Sequence, residues 1–247
     1  MPTEGVAATT GAGGSAPRRR VNHEVLAVVL QVRDAALHVL LWQHDRGPAA
    51  GSWALPGGPL ADSETLGQSI AHQLAEKVDV RHLAHLEQLE TRSDLERAPR
   101  GRVLATAYLG LVPADERSVI PPDAAWHRVD ALPVMAFDHS SITASGVRRL
   151  RAKLCYTNLG FALAPPAFTA AELQAVYQAA LGHDVSTTNL KRILLRRQQI
   201  VETGTFSAPG RSGGRPAAQY RFRARQIEVT DQFAVLRPPD PPRTLTG

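Results

Sequence analysis

Two apolar runs, "EVLAVVLQV" from Glu24 to Val32 and "ALHVLLWQH" from Ala36 to His44, are separated only by Arg33, Asp34 and Ala35. Runs this short and this rich in Val and Leu read as strands rather than helices, and the three-residue break between them predicts a hairpin of well-buried strands. A further strand is predicted at Val103–Val112, "VLATAYLGLV". Between them, Ser63–Val78 reads as a helix, because Leu66, Ile70 and Leu74 fall at i, i+4 and i+8 and Ser63 or Asp62 can cap its start. Residues 21–140 thus form a first unit of mixed α and β structure that closes near "WHRVDALP".

A chain of 247 residues with 43% apolar side chains has room for two small domains or one large one. Its one cysteine, Cys155, permits no internal disulfide and supplies too few sulfur ligands for a structural zinc site, which fits a reducing cytoplasmic compartment. The opening "GAGGSAPRRR" segment lacks the apolar stretch of a signal peptide, and no later apolar run approaches ~18 residues, so no membrane is expected. Residues 1–20 are expected to be a disordered basic arm. Charge divides the chain more sharply than its total of +5 shows. Residues 1–140 carry 13 Lys and Arg against 17 Asp and Glu, whereas residues 141–247 carry 15 against 6. The second half wants an anion, and nucleic acid is one such partner.

Residues 141–164 read as a linker helix and loop, in which Val147, Leu150 and Leu154 share a stripe that suits either neighbouring domain. Pro165 and Pro166 then break the chain. Residues 165–230 look like a separate small unit. "FTAAELQAVYQAAL" has a Thr169 cap with Glu172 three residues on, and Gly182 ends that helix. "STTNLKRILLRRQQIVETG" predicts a second helix reaching Gly204, a Gly-rich stretch follows, and "AAQYRFR" alternates as a strand. The remaining residues, 231–247, form a Pro-rich tail unable to fold alone.

A capped helix, a turn, a second helix and a Gly-rich hairpin make a winged helix-turn-helix, whose second helix enters the DNA major groove. Its candidate DNA contacts are Thr187, Thr188, Asn189, Lys191, Arg192 and Arg196 on the helix, and Arg211, Arg215, Gln219 and Tyr220 in the wing. Asn can bond an adenine edge in bidentate fashion, and Lys or Arg can reach guanine or phosphate. A helix pair that docks another protein is the alternative reading of the same segment.

The stretch "GSWALPGG" followed by a helix resembles the entry to a Nudix box. Counted from Gly58, Glu64 takes the first acidic position of that box, and the later positions fall on His72 through Val80. In the Nudix family the residues at Gln73, Glu76 and Lys77 are carboxylates, which project from one helical face and hold divalent metal against a diphosphate. Here Glu76 alone keeps its charge, His72 replaces an arginine, and Asp79 replaces a helix-ending glycine. An ammonium at Lys77 repels a dication where a carboxylate attracts it, a change of several kcal/mol at ~4 Å and an effective dielectric of ~20. No metal and no catalytic residue is therefore assigned. The nine histidines form no HxxxH or HExxH spacing, and His139 beside Asp138 is expected to make a structural hydrogen bond.

The two halves in this order resemble the Nudix-related transcriptional regulators of NAD metabolism, across residues 22–230. The resemblance implies an α+β chain with a Nudix-like α/β/α sandwich and a C-terminal winged helix-turn-helix. It implies a homodimeric repressor of NAD biosynthesis or salvage genes that needs no cofactor, binds a two-fold DNA operator and responds to NAD, ADP-ribose or a related dinucleotide. Arg46, Trp53, Gly57, Gly58, Glu64, Gln73, Glu76 and Lys77 are the candidate effector contacts. Pro59 stands where family members often carry an aromatic residue, which alters the expected pocket. The rival reading is an active Nudix hydrolase of the ADP-ribose pyrophosphatase type with an accessory DNA-binding domain; a protein-interaction scaffold is a third.

Overall fold

A computed structural model describes residues 21–43, 50–95, 97, 101–117, 119–207 and 216–231. Arg46, Arg211 and Arg215, the arm at residues 1–20 and residues 232–247 of the tail lie outside the described residues.

The predicted hairpin is present as β1 (Asn22–Arg33) and β2 (Ala36–Gln43), with Arg33 opposite Ala36. Asp34 and Ala35 turn the chain at φ 46° and 58°. Both central residues are left-handed, which matches the twist of a tight hairpin even without glycine. Val25, Ala27 and Val29 point to one side of the sheet, Leu26, Val28 and Leu30 to the other, and each set joins a different core cluster. That two-sided burial is why the run is continuously apolar rather than alternating.

The third strand follows the predicted bounds as β6 (Val103–Val112), with β5 (His85–Arg92) antiparallel beside it. β6 runs parallel to β1, pairing Asn22 with Val103 and Gln31 with Val112. With β3 (Trp53–Ala54), the order is β3-β2-β1-β6-β5; β4 (Gly57–Pro59) adds to β1 and β7 (Ala124–Arg128) to β2.

Helix α1 (Leu66–Val78) covers one face through Ile70, Leu74 and Val78. It begins later than the expected Ser63, and neither Ser63 nor Asp62 caps it. Thr65 accepts from the Gln68 N–H while Gln68 reaches back to the Thr65 N–H. This reciprocal capping box satisfies two orphan donors where a lone Ser or Asp satisfies one. Asp79 ends the helix at φ 50° and ψ 31°, the left-handed position a glycine usually fills.

Helix α2 (His139–Tyr156) covers the opposite face, so this segment does more than link. Ile142, Val147, Leu150 and Leu154 bury into the cluster that holds Leu26, Val28 and Leu30. Gly146 permits the close approach, since a Cβ there would lie 2.7 Å from Val28 Cγ1.

After a short 3-10 turn (Leu159–Ala162) come β8 (Phe168–Thr169), α3 (Ala170–Leu181), α4 (Thr187–Arg196), β9 (Ile200–Phe206) and β10 (Ala218–Phe222). The Thr169–Glu172 capping box is present, and Gly182 ends α3 at φ 77°. The second helix does not reach Gly204. α4 stops at Arg196, Gln198 turns left-handed at φ 55°, and Ile200–Phe206 becomes an edge strand of a sheet ordered β8-β10-β9. Burial of Ile200 beside Tyr220 and Phe222 favours the strand over another helical turn.

The core of this second unit, with Phe168, Leu173, Tyr177 and Leu194, is continuous with the α2 side of the large sheet. Tyr177 is fully buried, and burial pushes its hydroxyl pKa far above the usual phenol value. Backbone bonds also cross between the units: Ala114 N–H donates to the Leu163 carbonyl at 2.8 Å. Among the described residues no helix is long and apolar enough to cross a membrane.

Candidate functional site

The "ALPGG" turn is held from both sides. The Leu55 N–H donates to His139 Nδ1 at 3.1 Å, and Trp42 Nε1 donates to the Leu55 carbonyl at 3.1 Å. His139 thus serves as the structural hydrogen-bond partner expected of it, with Nδ1 the accepting nitrogen. Gly57 then enters β4 against β1, so close that a Cβ would lie 2.1 Å from the Val25 carbonyl oxygen. Gly58 packs on the end of Gln73, with a Cβ position 2.4 Å from Oε1. That buried oxygen finds no hydrogen-bond partner among the described residues.

Lys77 reaches up from α1 to the same turn. Its ammonium donates to the Gly57 carbonyl and lies 4.4 Å from the centroid of the Trp42 ring. Burial lowers its pKa, against the opposing pull of Glu24 and Glu76. Further back along the helix, His72 stands between Glu64 and Glu76. Nδ1 is 2.9 Å from Glu64 Oε1 and Nε2 is 2.9 Å from Glu76 Oε1. Engaging both ring nitrogens with carboxylates requires both to be protonated. The hydrogen bond to Glu76, followed by that to Glu64, raises the His72 pKa above the ordinary imidazole value.

Glu64 also lines a cleft of about 680 Å³. Its wall includes Asn22, His23 and Glu24 at the start of β1, Pro59 ending β4, Leu60 to Asp62 after it, and Val103 opening β6. That volume lies in the range of small-molecule sites. Behind it, the guanidinium of Arg97 is shared between Glu24 and Asp138; its Nε donates to Asp138 Oδ2 at 3.1 Å. The Arg97 side chain is only 3% exposed. Arg97 thereby ties the cleft wall to the residue that precedes α2.

The structure brings Gly57, Gly58, Gln73 and Lys77 together where the turn meets α1, with Glu64 and Glu76 on His72 beside them; Trp53 instead packs on the α2 side of the sheet. Trp53 lies over His127, with ring centroids 4.3 Å apart. Sequence reasoning missed Asn22, His23, Glu24 and Arg97. Only the β1 pairings with β4 and β6 collect the first three, and nothing local marks them. Among the described residues no three His, Cys, Asp or Glu side chains gather in a way that could hold a metal ion.

The second surface lies on α4. Ser186 caps it, accepting from the Asn189 N–H at 3.4 Å. Thr188, Asn189, Arg192 and Arg196 are exposed, and Thr187 and Lys191 are half-buried. Arg192 Nη2 donates to Asn189 Oδ1 at 2.7 Å, which turns the Asn189 amide nitrogen away from the arginine. Gln219 is half-buried beside the wing, its Oε1 accepting from Thr205 Oγ1 at 2.9 Å. Tyr220 does not belong to this surface. At 3% exposed it is a core residue, and its hydroxyl donates to Glu202 Oε1 at 3.1 Å while accepting from Lys191. Alternation along β10 turned it inward.

A sheet sandwiched by α1 and α2, with the Gly-Gly turn pinned on α1, joined to a three-stranded wing behind two helices, defines a Nudix-fold domain fused to a winged helix. The profile described as the NUDIX domain matches residues 22–149, and that described as the NrtR DNA-binding winged helix domain matches residues 160–222. The ADPR responsive transcriptional repressor NtrR of Acinetobacter baylyi is 31% identical over 207 residues, 81% of each chain. Shewanella oneidensis NrtR, solved alone and with a 27mer DNA, is similar at 31% identity, with TM-scores of 0.69 and 0.68. Those matches cover 81% of this chain and 94% and 93% of the solved chains. A MutT/nudix family protein from Enterococcus faecalis shares the fold, at 23% identity and a TM-score of 0.67 over 84% of this chain and 90% of that one. The chain belongs to the NrtR family of Nudix-related transcriptional regulators.

Proposed function

We propose that this chain is a homodimeric, cytoplasmic DNA-binding repressor of NAD biosynthesis or salvage genes. Its Nudix domain senses ADP-ribose, NAD or a related dinucleotide without hydrolysing it. The observation that carries the reading is His72 seated between Glu64 and Glu76. The carboxylates that would gather metal are both engaged by one side chain of the protein itself, and Lys77 adds a second cation on the same helix. This donor set does not suit a divalent ion. Binding without cutting is the chemistry left to it, with the cleft at Glu24 and Glu64 taking the dinucleotide. Gly57, Gly58, Gln73 and Lys77 shape the turn beside it, and Arg46 and Trp53 are further candidates.

The basic second half supplies the partner surface, with Thr187, Thr188, Asn189, Lys191, Arg192 and Arg196 on α4 and Arg211, Arg215 and Gln219 in the wing. The Acinetobacter relative is an ADPR responsive repressor and a Shewanella relative is solved in complex with a 27mer DNA, which supports both halves of the proposal. Effector and operator must prefer different dimer geometries, because equal affinity for both switches nothing.

Fluorescence anisotropy on duplexes drawn from upstream of NAD-synthesis genes tests it, with ADP-ribose and NAD added in turn. Tight, salt-sensitive binding altered by one dinucleotide is expected. Hydrolysis of ADP-ribose with Mg²⁺ at even ~1 s⁻¹, lost in Glu76→Gln, would instead establish an enzyme.

A further inference from the structure

The basic run of α4 ends on an arginine that faces inward. Arg197 Nη1 donates to the Cys155 carbonyl at 2.8 Å, and Nη2 donates to the Asp231 carboxylate. Gln199, buried two residues on, donates to the Thr157 carbonyl at 3.2 Å and to Thr230 Oγ1. The Thr230 and Asp231 N–H groups both donate to the Tyr156 carbonyl, at 2.9 and 3.2 Å. Asn158, 2% exposed, donates to the Gln226 carbonyl at 2.9 Å and accepts from the Glu228 N–H at 2.7 Å. Residues 226–231 therefore form a strap that ties the α4–β9 turn to the last turn of α2.

Hydrophobic burial does little to explain the strap. Ile227 and Val229 are 38% and 57% exposed, so hydrogen bonds hold it, and hydrogen bonds fix direction more than they add stability. Direction matters here. A ten-residue helix is about 15 Å long, so a tilt of about 20° at its root moves its far end by about 5 Å, more than one base-pair step.

We infer that Asn158, Arg197, Gln199 and Asp231 are positioning residues for operator recognition. They touch no DNA and set the angle at which α4 leaves the body formed by α2 and its sheet. The inference rests on the DNA-binding reading above.

Asp231→Ala gives a test of sign. Removing an acid from a DNA-binding domain tightens binding to any duplex by long-range electrostatics alone. Positioning demands the reverse for a specific site. The probe is a two-fold duplex selected from random sequence by the full-length wild-type chain, with an unrelated duplex as control. Asp231→Ala and Asn158→Ala each bind the selected duplex with a Kd raised about tenfold. They keep the wild-type salt slope, since no phosphate contact is lost. Affinity for the unrelated duplex holds or rises slightly, which also shows that the domain is folded. Asp231→Asn, retaining an acceptor without the charge, recovers part of the loss.

Asp231→Ala binding the selected duplex as tightly as wild type overturns the inference. So does an Arg197→Ala salt slope shallower by about 1, which places that arginine on a phosphate. Failure of the wild type to prefer any duplex removes the DNA-binding reading itself, and the inference with it.

Discussion

The Lys77 ammonium lies 4.4 Å from the centroid of the Trp42 ring and donates to the Gly57 carbonyl, pinning the Gly-Gly turn to α1. Lys77 is a structural cation of this turn. Lys77→Met keeps the apolar stem but leaves the carbonyl unpartnered and the ring without its cation. A loss of about 1 to 3 kcal/mol in urea unfolding is expected. Lys77→Glu should lose more, because a carboxylate then faces a carbonyl oxygen. Wild-type stability in Lys77→Glu would show that the turn does not depend on the ammonium.

Gly57 is constrained by space rather than by backbone angle. Its missing Cβ would stand 2.1 Å from the Val25 carbonyl oxygen and 2.9 Å from Leu26 Cα. Both are backbone atoms of the central strand and cannot swing aside. Gly57→Ala must push β4 off β1 and should cost upward of about 2 kcal/mol, an overpacking penalty. Gly58→Ala is milder, since the atom it meets is the mobile end of Gln73. Thermal melts of the two variants should rank in that order, and the reverse order would refute the packing argument.

His72 makes a prediction about pH. Hydrogen bonds to Glu76 and Glu64 raise its pKa, so the folded state binds this proton more tightly than the unfolded chain. The bridged arrangement is complete below the ordinary histidine range and is lost as pH rises through the raised folded value. In an NMR titration the His72 ring should titrate above the usual imidazole midpoint, and Glu76→Gln should bring it down. A wild-type midpoint at or below the usual value would mean that the clamp does not form in solution.

What was legible in the sequence was local. The β1–β2 hairpin and the Thr169–Glu172 box each depend on residues within a few positions, and each is present. The start of α1 slipped because Asp62, Ser63 and Thr65 all suit a cap, and only the reach of Gln68 decides among them. The end of α4 was silent: Gln198 breaks the helix at φ 55° with no glycine or proline to mark it. The β-branched Ile200, Val201 and Thr203 were a faint signal of the strand that follows. The cleft at Asn22–Glu24 and the ties from Arg97 depend on pairings tens of residues apart, which no spacing rule reaches.

Glu87 sits where β5 meets α2. Burial alone would push its carboxyl up, but the close approach of His85 Nε2, at 3.3 Å, and the hydrogen bond and charge of Lys153 overcome that and hold it at about 2. A carboxyl whose folded pKa is depressed contributes stability that is present above the unfolded value and lost as pH falls toward 2. Discounted for solvent screening, about 1 to 2 kcal/mol is at stake. Glu87→Gln should therefore unfold at a lower urea concentration than wild type at pH 7, with the gap narrowing below about pH 4 and closing only near pH 2. A gap that persists unchanged into acid would assign the effect to packing rather than charge.

Arg192 carries the most direct prediction for the nucleic-acid surface. It is exposed on α4, and its one described hydrogen bond, at 2.7 Å, goes to the neutral Asn189 carbonyl, which leaves its charge free for a phosphate. Asn189 is turned so that its amide nitrogen, a donor, is the end left to meet a base or a phosphate. Arg192→Ala should weaken binding to specific and unrelated duplexes alike and make the salt slope shallower by about 0.9 for the phosphate released. Asn189→Ala should instead weaken only the selected sequence, by about 1 to 3 kcal/mol, with its salt slope unchanged. Anisotropy across a salt series separates the two. If Asn189→Ala weakened every duplex equally, Asn189 would be a backbone contact, and sequence reading would have to come from Thr187, Thr188 or Lys191.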